Sequence, residues 1–144
     1  MENKKLIYMD NNATTRVYEE VLEAMLPYFK EKYFNPSSMY SVARGVHKEM
    51  EKAREQVADF LGCEKVEVCF VSCGSEGDNM AIRGTIEAYP TKNHIITTKV
   101  EHPAVIETCK SLERLGYRIT LLDVDNDGNI NLEELKKSVN ENTA

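Results

Sequence analysis

Apolar positions recur along this chain with two alternating periods, and the changes of period mark its elements. Val66, Val68 and Phe70 alternate with Glu67 and Cys69, which predicts a strand delivering the chain into the small residues Ser72 to Ser75. Beyond that turn Met80, Ile82, Thr85 and Ile86 recur at helical spacing, so a helix is expected to begin near Ser75. Upstream, Leu6 to Met9 is a short strand candidate and Asp10 to Thr15 a polar loop. From about Tyr18, Glu19 and Glu20 suit a first helical turn, and Val21, Leu22, Met25 and Phe29 follow at helical spacing, with Pro27 placed to bend the helix. Asn35 to Ser38 breaks the chain. A long helical stripe of Val42, Val46, Met50, Ala53, Val57 and Phe60 comes next, with Gly62 as its cap.

Downstream, His94 to Thr98 reads as a second strand. Pro103 opens a helix whose stripe is Val105, Cys109, Leu112 and Leu115, and Gly116 stops it. Tyr117 to Leu122 reads as a further strand, Asp125 to Gly128 as a turn, and Leu132, Leu135 and Val139 as a closing helix with Asn131 and Glu134 set for a capping box. Strand, helix, strand, helix, strand, helix is the order of an α/β fold with a parallel sheet and right-handed crossovers. Ligands in such folds sit beyond the carboxyl ends of the strands. Two turns occupy that edge, Ser72 to Ser75 and Lys99 to His102.

Composition narrows the class. At 144 residues, 42% hydrophobic and 29% charged, the chain has the length and balance of one modest globular domain. A net charge of −6 with no basic run argues against nucleic acid as a partner. No stretch approaches the roughly 18 apolar residues of a membrane span, and MENKKLIYMDNN lacks the apolar segment of a signal peptide, so a cytoplasmic address is expected. In that setting Cys63, Cys69, Cys73 and Cys109 are expected to stay thiols, and their spacing matches no common zinc pattern.

Three features carry candidate chemistry. The helix start at Gly74 and Ser75 leaves backbone N–H groups without acceptors, beside a residue with no side chain and a hydroxyl; residues of this kind make an ordinary capped helix, with Ser75 and Asp78 as an imperfect capping box, more often than the phosphate cradle they also suit. His102 precedes Pro103, where a histidine can serve as a helix cap. Asp123 to Glu134, DVDNDGNINLEE, fits a calcium-binding EF-hand loop position by position. An EF-hand needs an entering helix, however, and Tyr117 to Leu122 reads as a strand, so a polar turn before an Asn131 helix cap is the competing account.

Five strings in order, D-N-N-A-T-T (Asp10 to Thr15), N-P-S-S (Asn35 to Ser38), V-S-C-G-S-E-G-D-N (Val71 to Asn79), H-I-I-T-T-K-V-E-H-P-A-V (His94 to Val105) and D-x-D-G-x-I-x-L-E-E-L (Asp125 to Leu135), resemble the amino-terminal part of the NifS/IscS-type cysteine desulfurases. The resemblance implies the class V aminotransferase family and the amino-terminal part of a pyridoxal 5'-phosphate (PLP) fold type I large domain, with a largely parallel sheet flanked by helices. Residues 1–40 would form an amino-terminal arm and helix, and residues 41–144 an incomplete α/β PLP-binding large domain. It implies conversion of L-cysteine to L-alanine, with sulfur passed through an enzyme persulfide to an acceptor protein for iron–sulfur cluster or thio-cofactor assembly. On the same resemblance Gly74 and Ser75 would bind the cofactor phosphate, and His102 would stack on the pyridine ring and move protons, tasks that suit a flat ring titrating near neutrality.

Departures accompany the match. The family usually has glycine at Cys73, threonine at Val71 and at Ser75, and often a histidine where Tyr40 stands. Cys73 does not match the family's nucleophile. The Schiff-base lysine, the aspartate facing the pyridine nitrogen, the substrate-binding arginine and the nucleophilic cysteine all lie, in the family, beyond the stretch matched here. The expectation is therefore an inactive amino-terminal portion that holds PLP weakly and partners either a complementing carboxyl-terminal half or a second copy in a homo-oligomer. A non-catalytic interaction module and a calcium-binding module are the alternatives.

Overall fold

The computed structural model describes residues 6–144, arranged as two compact units, one ending at Cys69 and the other spanning Phe70–Ala144. The extreme amino terminus, residues 1–5, on which part of the leader reading rested, lies outside the described residues.

In the first unit α1 (Glu19–Lys30) and α2 (Ser41–Leu61) follow the apolar periodicities. Glu19 and Glu20 in the first turn and Lys30 in the last complement the helix dipole of α1. Pro27 lies inside α1, within the helix as the sequence indicated. A link between the helices comes from Glu49, whose Oε2 accepts from the Tyr28 hydroxyl at 2.6 Å and whose Oε1 accepts from Lys32 Nζ at 2.8 Å. Between them Asn35 Oδ1 accepts from the Ser37 N–H at 3.0 Å, which is the turn that N-P-S-S predicts. Gly62 ends α2 at φ +72°, the left-handed conformation glycine adopts without penalty. Of the expected stripe on α2 only Val46 is buried; Ala43 and Ala58, which lie outside it, are the other buried residues, whereas Phe60 is 89% exposed.

Two expected strands are corrected here. Leu6 to Met9 forms no regular element and is exposed. At Val66 to Phe70 the chain instead makes a 3₁₀ turn, Lys65–Glu67, in which the Glu64 N–H donates to the Glu67 carboxylate at 2.8 Å; Val68 after it is extended, and residues 68–70 form no strand. Arg54 donates to the Val68 carbonyl. The reason is physical: alternation makes one face of a segment apolar, but a strand also needs a ladder of backbone hydrogen bonds to another strand, and the sheet of the described residues pairs β1 (His94–Thr98) with β2 (Arg118–Leu122).

The second unit carries the sheet. α3 (Gly74–Ala88) leads to β1 (His94–Thr98), α4 (Pro103–Glu113) crosses over, and β2 (Arg118–Leu122) returns parallel to β1, with His94 opposite Arg118 and Thr98 opposite Leu122. Pro103 starts α4 at the position where its missing N–H costs nothing. The helix ends at Glu113, earlier than the apolar stripe suggests. Gly116, at φ +96°, closes a turn in which the Tyr117 N–H reaches the Leu112 carbonyl at 3.1 Å, leaving Leu115 exposed. Asn131 caps α5 (Leu132–Ser138) by accepting from the Glu133 and Glu134 N–H groups. Ile86, Cys109, Leu112 and Leu122 form the buried core.

His94 is also buried, at 1% exposure, a position the sequence shows only as the first residue of a strand. Its Nδ1 accepts from Asn140 Nδ2 at 3.0 Å and lies 2.8 Å from Thr143 Oγ1, so in the neutral ring the proton sits on Nε2 and is shared with Thr120 Oγ1 at 2.8 Å. The Asn140 amide is fixed in this sense because its Oδ1 accepts from the Asn142 N–H at 3.0 Å. His94 thereby ties residues 140–144 to the sheet, where Thr143 bridges it in parallel and the Ala144 N–H donates to its carbonyl at 3.0 Å. Burial, and secondarily the Arg118 charge, holds the His94 pKa below its usual value. A lowered histidine pKa means that the unfolded chain binds the proton more readily, so stability is fully present above the ordinary value of about 6.5 and declines as pH falls from there toward the depressed folded value. We therefore expect thermal unfolding followed by circular dichroism to show a loss between pH 7.5 and 5.5. His94→Ala should remove that dependence and cost about 2–4 kcal/mol at neutral pH. An unchanged pH slope in the variant would contradict this assignment.

Candidate functional site at the carboxyl edge of the sheet

The topology brings two helix starts to one edge. α3 runs down to the beginning of β1 and α4 leaves its end, so both helices have their N-termini beyond the carboxyl end of β1. They pack side by side in the same sense: Arg83, in the second half of α3, donates from Nη2 to Ser111 Oγ, in the second half of α4, at 3.1 Å. Gly74 and Ser75 begin α3 and His102 caps α4.

At α3 the first backbone N–H paired within the helix is that of Gly77, onto the Cys73 carbonyl at 3.2 Å. The N–H groups of Gly74, Ser75 and Glu76 therefore have no carbonyl acceptor in the helix, those of Glu76 and Ser75 lying within reach of the Cys73 sulfur, at the end where the helix dipole concentrates positive charge. A Cβ built on Gly74 would meet nothing within 4 Å, and both Gly74 and Ser75 are exposed. The Ser75–Asp78 box foreseen as the bland alternative is not the cap that forms. Glu76 Oε2 instead accepts from the Ser72 N–H at 2.6 Å and from its hydroxyl at 2.7 Å, which holds the Glu76 carboxyl below its usual pKa. Cys73 is the N-cap residue. Its thiol lies below the ordinary range because the Glu76 N–H, the Ser72 hydroxyl and the Ser75 N–H all stabilise the thiolate.

At α4, His102 Nδ1 accepts from the Ala104 N–H at 3.1 Å. Capping through Nδ1 puts the proton of the neutral ring on Nε2, so the exposed ring presents Nε2–H as a hydrogen-bond donor. Below it, Lys99 Nζ meets Asp123 Oδ1 at 2.7 Å and closes the ends of β1 and β2 together. Thr98 Oγ1 donates to Glu101 Oε1 at 3.0 Å. The Lys99–Asp123 pair was not foreseen, because no local periodicity links residues on different strands.

The EF-hand-like string has another use. β2, not a helix, enters it. Asp125 Oδ1 accepts from the N–H groups of Asp127 and Asn129, both at 2.9 Å, and these bonds, Asn129's first, lower its pKa. Val124 bridges Ile130, Gly128 turns at φ +84°, and Asp123 pairs with Lys99. Among the described residues no three acidic, histidine or cysteine side chains are gathered as metal ligands. Strand, turn and capped helix account for the string, and the calcium reading gives way.

With this geometry in place the comparisons are informative. The aminotransferase class-V family description matches residues 7–144, and the chain belongs to that family. It is 52% identical over 139 residues to the cysteine desulfurase of Trichormus azollae, covering 96% of this chain and 35% of that protein. It is 46% identical over 141 residues to the cysteine desulfurase IscS of Dictyoglomus turgidum, covering 97% and 36%. The fold superposes on a NifS-like protein with a TM-score of 0.89 at 44% identity, over 95% of this chain and 38% of that one. A second solved structure, SspA in complex with cysteine, gives 0.87 at 34% identity, over 94% and 40%. The chain thus spans about a third of the length of the curated relatives it matches. Among the described residues, no helix is long and apolar enough to cross a membrane.

The cysteines separate by environment: Cys73 is exposed at a helix start, whereas Cys109 is 2% exposed, with its pKa raised by burial and then by Glu101. Iodoacetamide at pH 7 should alkylate Cys73 faster than Cys109 by about tenfold or more, as followed by peptide mass mapping. Comparable rates at the two positions would contradict the description of the α3 N-terminus.

Proposed function

We propose that this chain supplies the cofactor-phosphate turn and the ring-stacking histidine of a PLP-dependent cysteine desulfurase. The observation that carries the reading is the placement of Gly74, Ser75 and His102 at two helix starts on one sheet edge, in a chain whose relatives are cysteine desulfurases. The donor chemistry fits a phosphate: outward N–H groups, a hydroxyl and a helix dipole, with space above Gly74. PLP, when bound, supplies an electron sink for the amino acid substrate.

In this reading the N–H groups of Gly74 and Ser75 and the Ser75 hydroxyl hold the phosphate. The His102 ring covers one face of the pyridine. While Nδ1 accepts from the Ala104 N–H, the neutral ring offers Nε2–H as a donor; it takes up a proton at Nδ1, becoming imidazolium, only when that cap bond opens, after which Nε2–H can be given up. The substrate is L-cysteine, the product L-alanine, and the sulfur goes to an acceptor protein serving iron–sulfur or thio-cofactor assembly in the cytoplasm. The lysine that anchors the cofactor and the thiol that takes the sulfur are supplied by residues other than these 144, and the partner is a complementing carboxyl-terminal half or a second copy in a homo-oligomer. Exposed apolar residues such as Val66 and Phe60 are compatible with further chain covering these units.

Neither Lys92 nor Lys99 is free for the anchoring role: Lys92 donates to the Glu141 carbonyl and Lys99 is paired with Asp123. An absorbance titration of the chain with PLP, followed by borohydride reduction and mass spectrometry, should show weak binding and no adduct concentrated on one lysine. PLP fixed to one particular lysine, with cysteine-dependent release of alanine, would overturn the proposal that the anchoring residue lies elsewhere.

A further inference from the structure

A relay of side-chain hydrogen bonds in the second unit links α4 to the start of α3. Ser111 Oγ, on α4, accepts from Arg83 Nη2 at 3.1 Å; Arg83 Nε donates to Asn79 Oδ1 at 3.4 Å; Asn79 Nδ2 donates to the Ser75 carbonyl at 2.9 Å. Asn79, Arg83 and Ser111 are each half-buried, so solvent competes only partly for these bonds. The Ser75 carbonyl already takes the helical bond from the Asn79 N–H, so the amide of Asn79 fills its second lone pair.

The point of contact matters because a peptide unit is planar. The Ser75 carbonyl and the Glu76 N–H belong to the same rigid plane. Whatever fixes the carbonyl fixes the direction of that N–H, one of the three that leave the start of α3. Resting on the reading of Gly74 and Ser75 as phosphate donors, we propose that Arg83, acting through Asn79, is a positioning residue that holds the α3 N-terminus in its phosphate-binding geometry and ties it to α4, the helix that carries His102. The guanidinium suits the task because its planar fork reaches Asn79 with one nitrogen and Ser111 with another, which a lysine ammonium on its flexible stem does not reproduce. The direction of polarisation is also favourable. A cation donating to the Asn79 oxygen strengthens the Asn79 side-chain N–H as a donor to the Ser75 carbonyl, which in turn makes the Glu76 N–H a better donor to whichever anion it meets, the Cys73 thiolate or a phosphate that displaces it.

The test uses the full chain labelled with ¹⁵N, titrated with inorganic phosphate and separately with PLP, in four versions: unchanged, Arg83→Met, Arg83→Lys and Ser111→Ala. In the unchanged chain both probes should shift the amide signals of Gly74, Ser75 and Glu76. Before any ligand is added, the Glu76 amide signal should differ between the unchanged chain and Arg83→Met. Phosphate affinity should fall about five- to tenfold in Arg83→Met, the scale of one hydrogen bond lost from a site. Arg83→Lys should behave like Arg83→Met, because the charge remains and the two-ended geometry does not. Ser111→Ala, which removes only the α4 end, should weaken phosphate binding in the same direction, and it keeps the test open should Arg83→Met not fold. Equal phosphate affinity in the unchanged, Arg83→Met and Ser111→Ala chains overturns this inference and leaves the cradle standing. Full affinity in Arg83→Lys overturns the geometric role in favour of charge alone. No response of Gly74 and Ser75 to either probe in the unchanged chain overturns the phosphate-cradle reading, and this inference with it.

Discussion

Hydrogen bonds between β1 and β2, in parallel register from His94 against Arg118 to Thr98 against Leu122, oblige the chain between the strands to return along the sheet as α4. Everything at the candidate site follows from that obligation. A crossover helix must start where its strand ends, and α3, which precedes β1, must start at the same edge. Two helix N-termini are thereby placed together without any side chain having to bring them there, and each contributes N–H groups with no acceptor in its own helix. The ends of the strands are held by the Lys99–Asp123 pair on the site side and by the His94 cluster on the other. The exposed ion pair adds little by itself; the buried histidine, with partners on both ring nitrogens, is the stronger fastening.

The same arrangement explains a division of labour. One end of the sheet is polar, exposed and supplied with donors, while the middle holds the small apolar core of Ile86, Cys109, Leu112 and Leu122. A two-stranded sheet has little area to bury, and relatives nearly three times as long accommodate the rest of the fold. The proposed chemistry divides in a corresponding way: cofactor phosphate and ring contacts on residues 70–144, covalent anchoring and sulfur transfer on polypeptide beyond them.

Much of this was legible in the sequence because helices signal locally. Val42, Val46 and Met50 recur within one element, Gly62 and Gly116 stand where a positive φ is needed, and Pro103 stands where a helix can begin. Strands signal less well. Val66, Val68 and Phe70 have the right alternation, yet the segment turns at Lys65–Glu67 and joins no strand ladder. The helix starts at Gly74 and Pro103 could be placed, but what holds them could not. Ser75, Asn79 and Arg83 are visibly four apart, yet the hydroxyl that completes the series is Ser111 on another helix, and the imidazole that pins residues 140–144 is forty-six residues from Asn140. The string from Asp123 to Glu134 shows the converse. It fits a calcium loop by composition, and only the strand entering it and the backbone N–H groups held by Asp125 decide its use.

The central claim is that residues 70–144 present a cofactor-phosphate turn and a proton-handling histidine for cysteine desulfuration. Its most direct test is a chimera in which this chain replaces the matching segment of the Trichormus azollae cysteine desulfurase. Cysteine-dependent alanine and sulfide would be measured with and without His102→Ala. The account predicts turnover in the chimera and a loss of about a hundredfold or more in the variant, the scale of a general acid–base group, with PLP still bound. A folded, PLP-loaded chimera with no turnover, or one whose rate is untouched by His102→Ala, would contradict it.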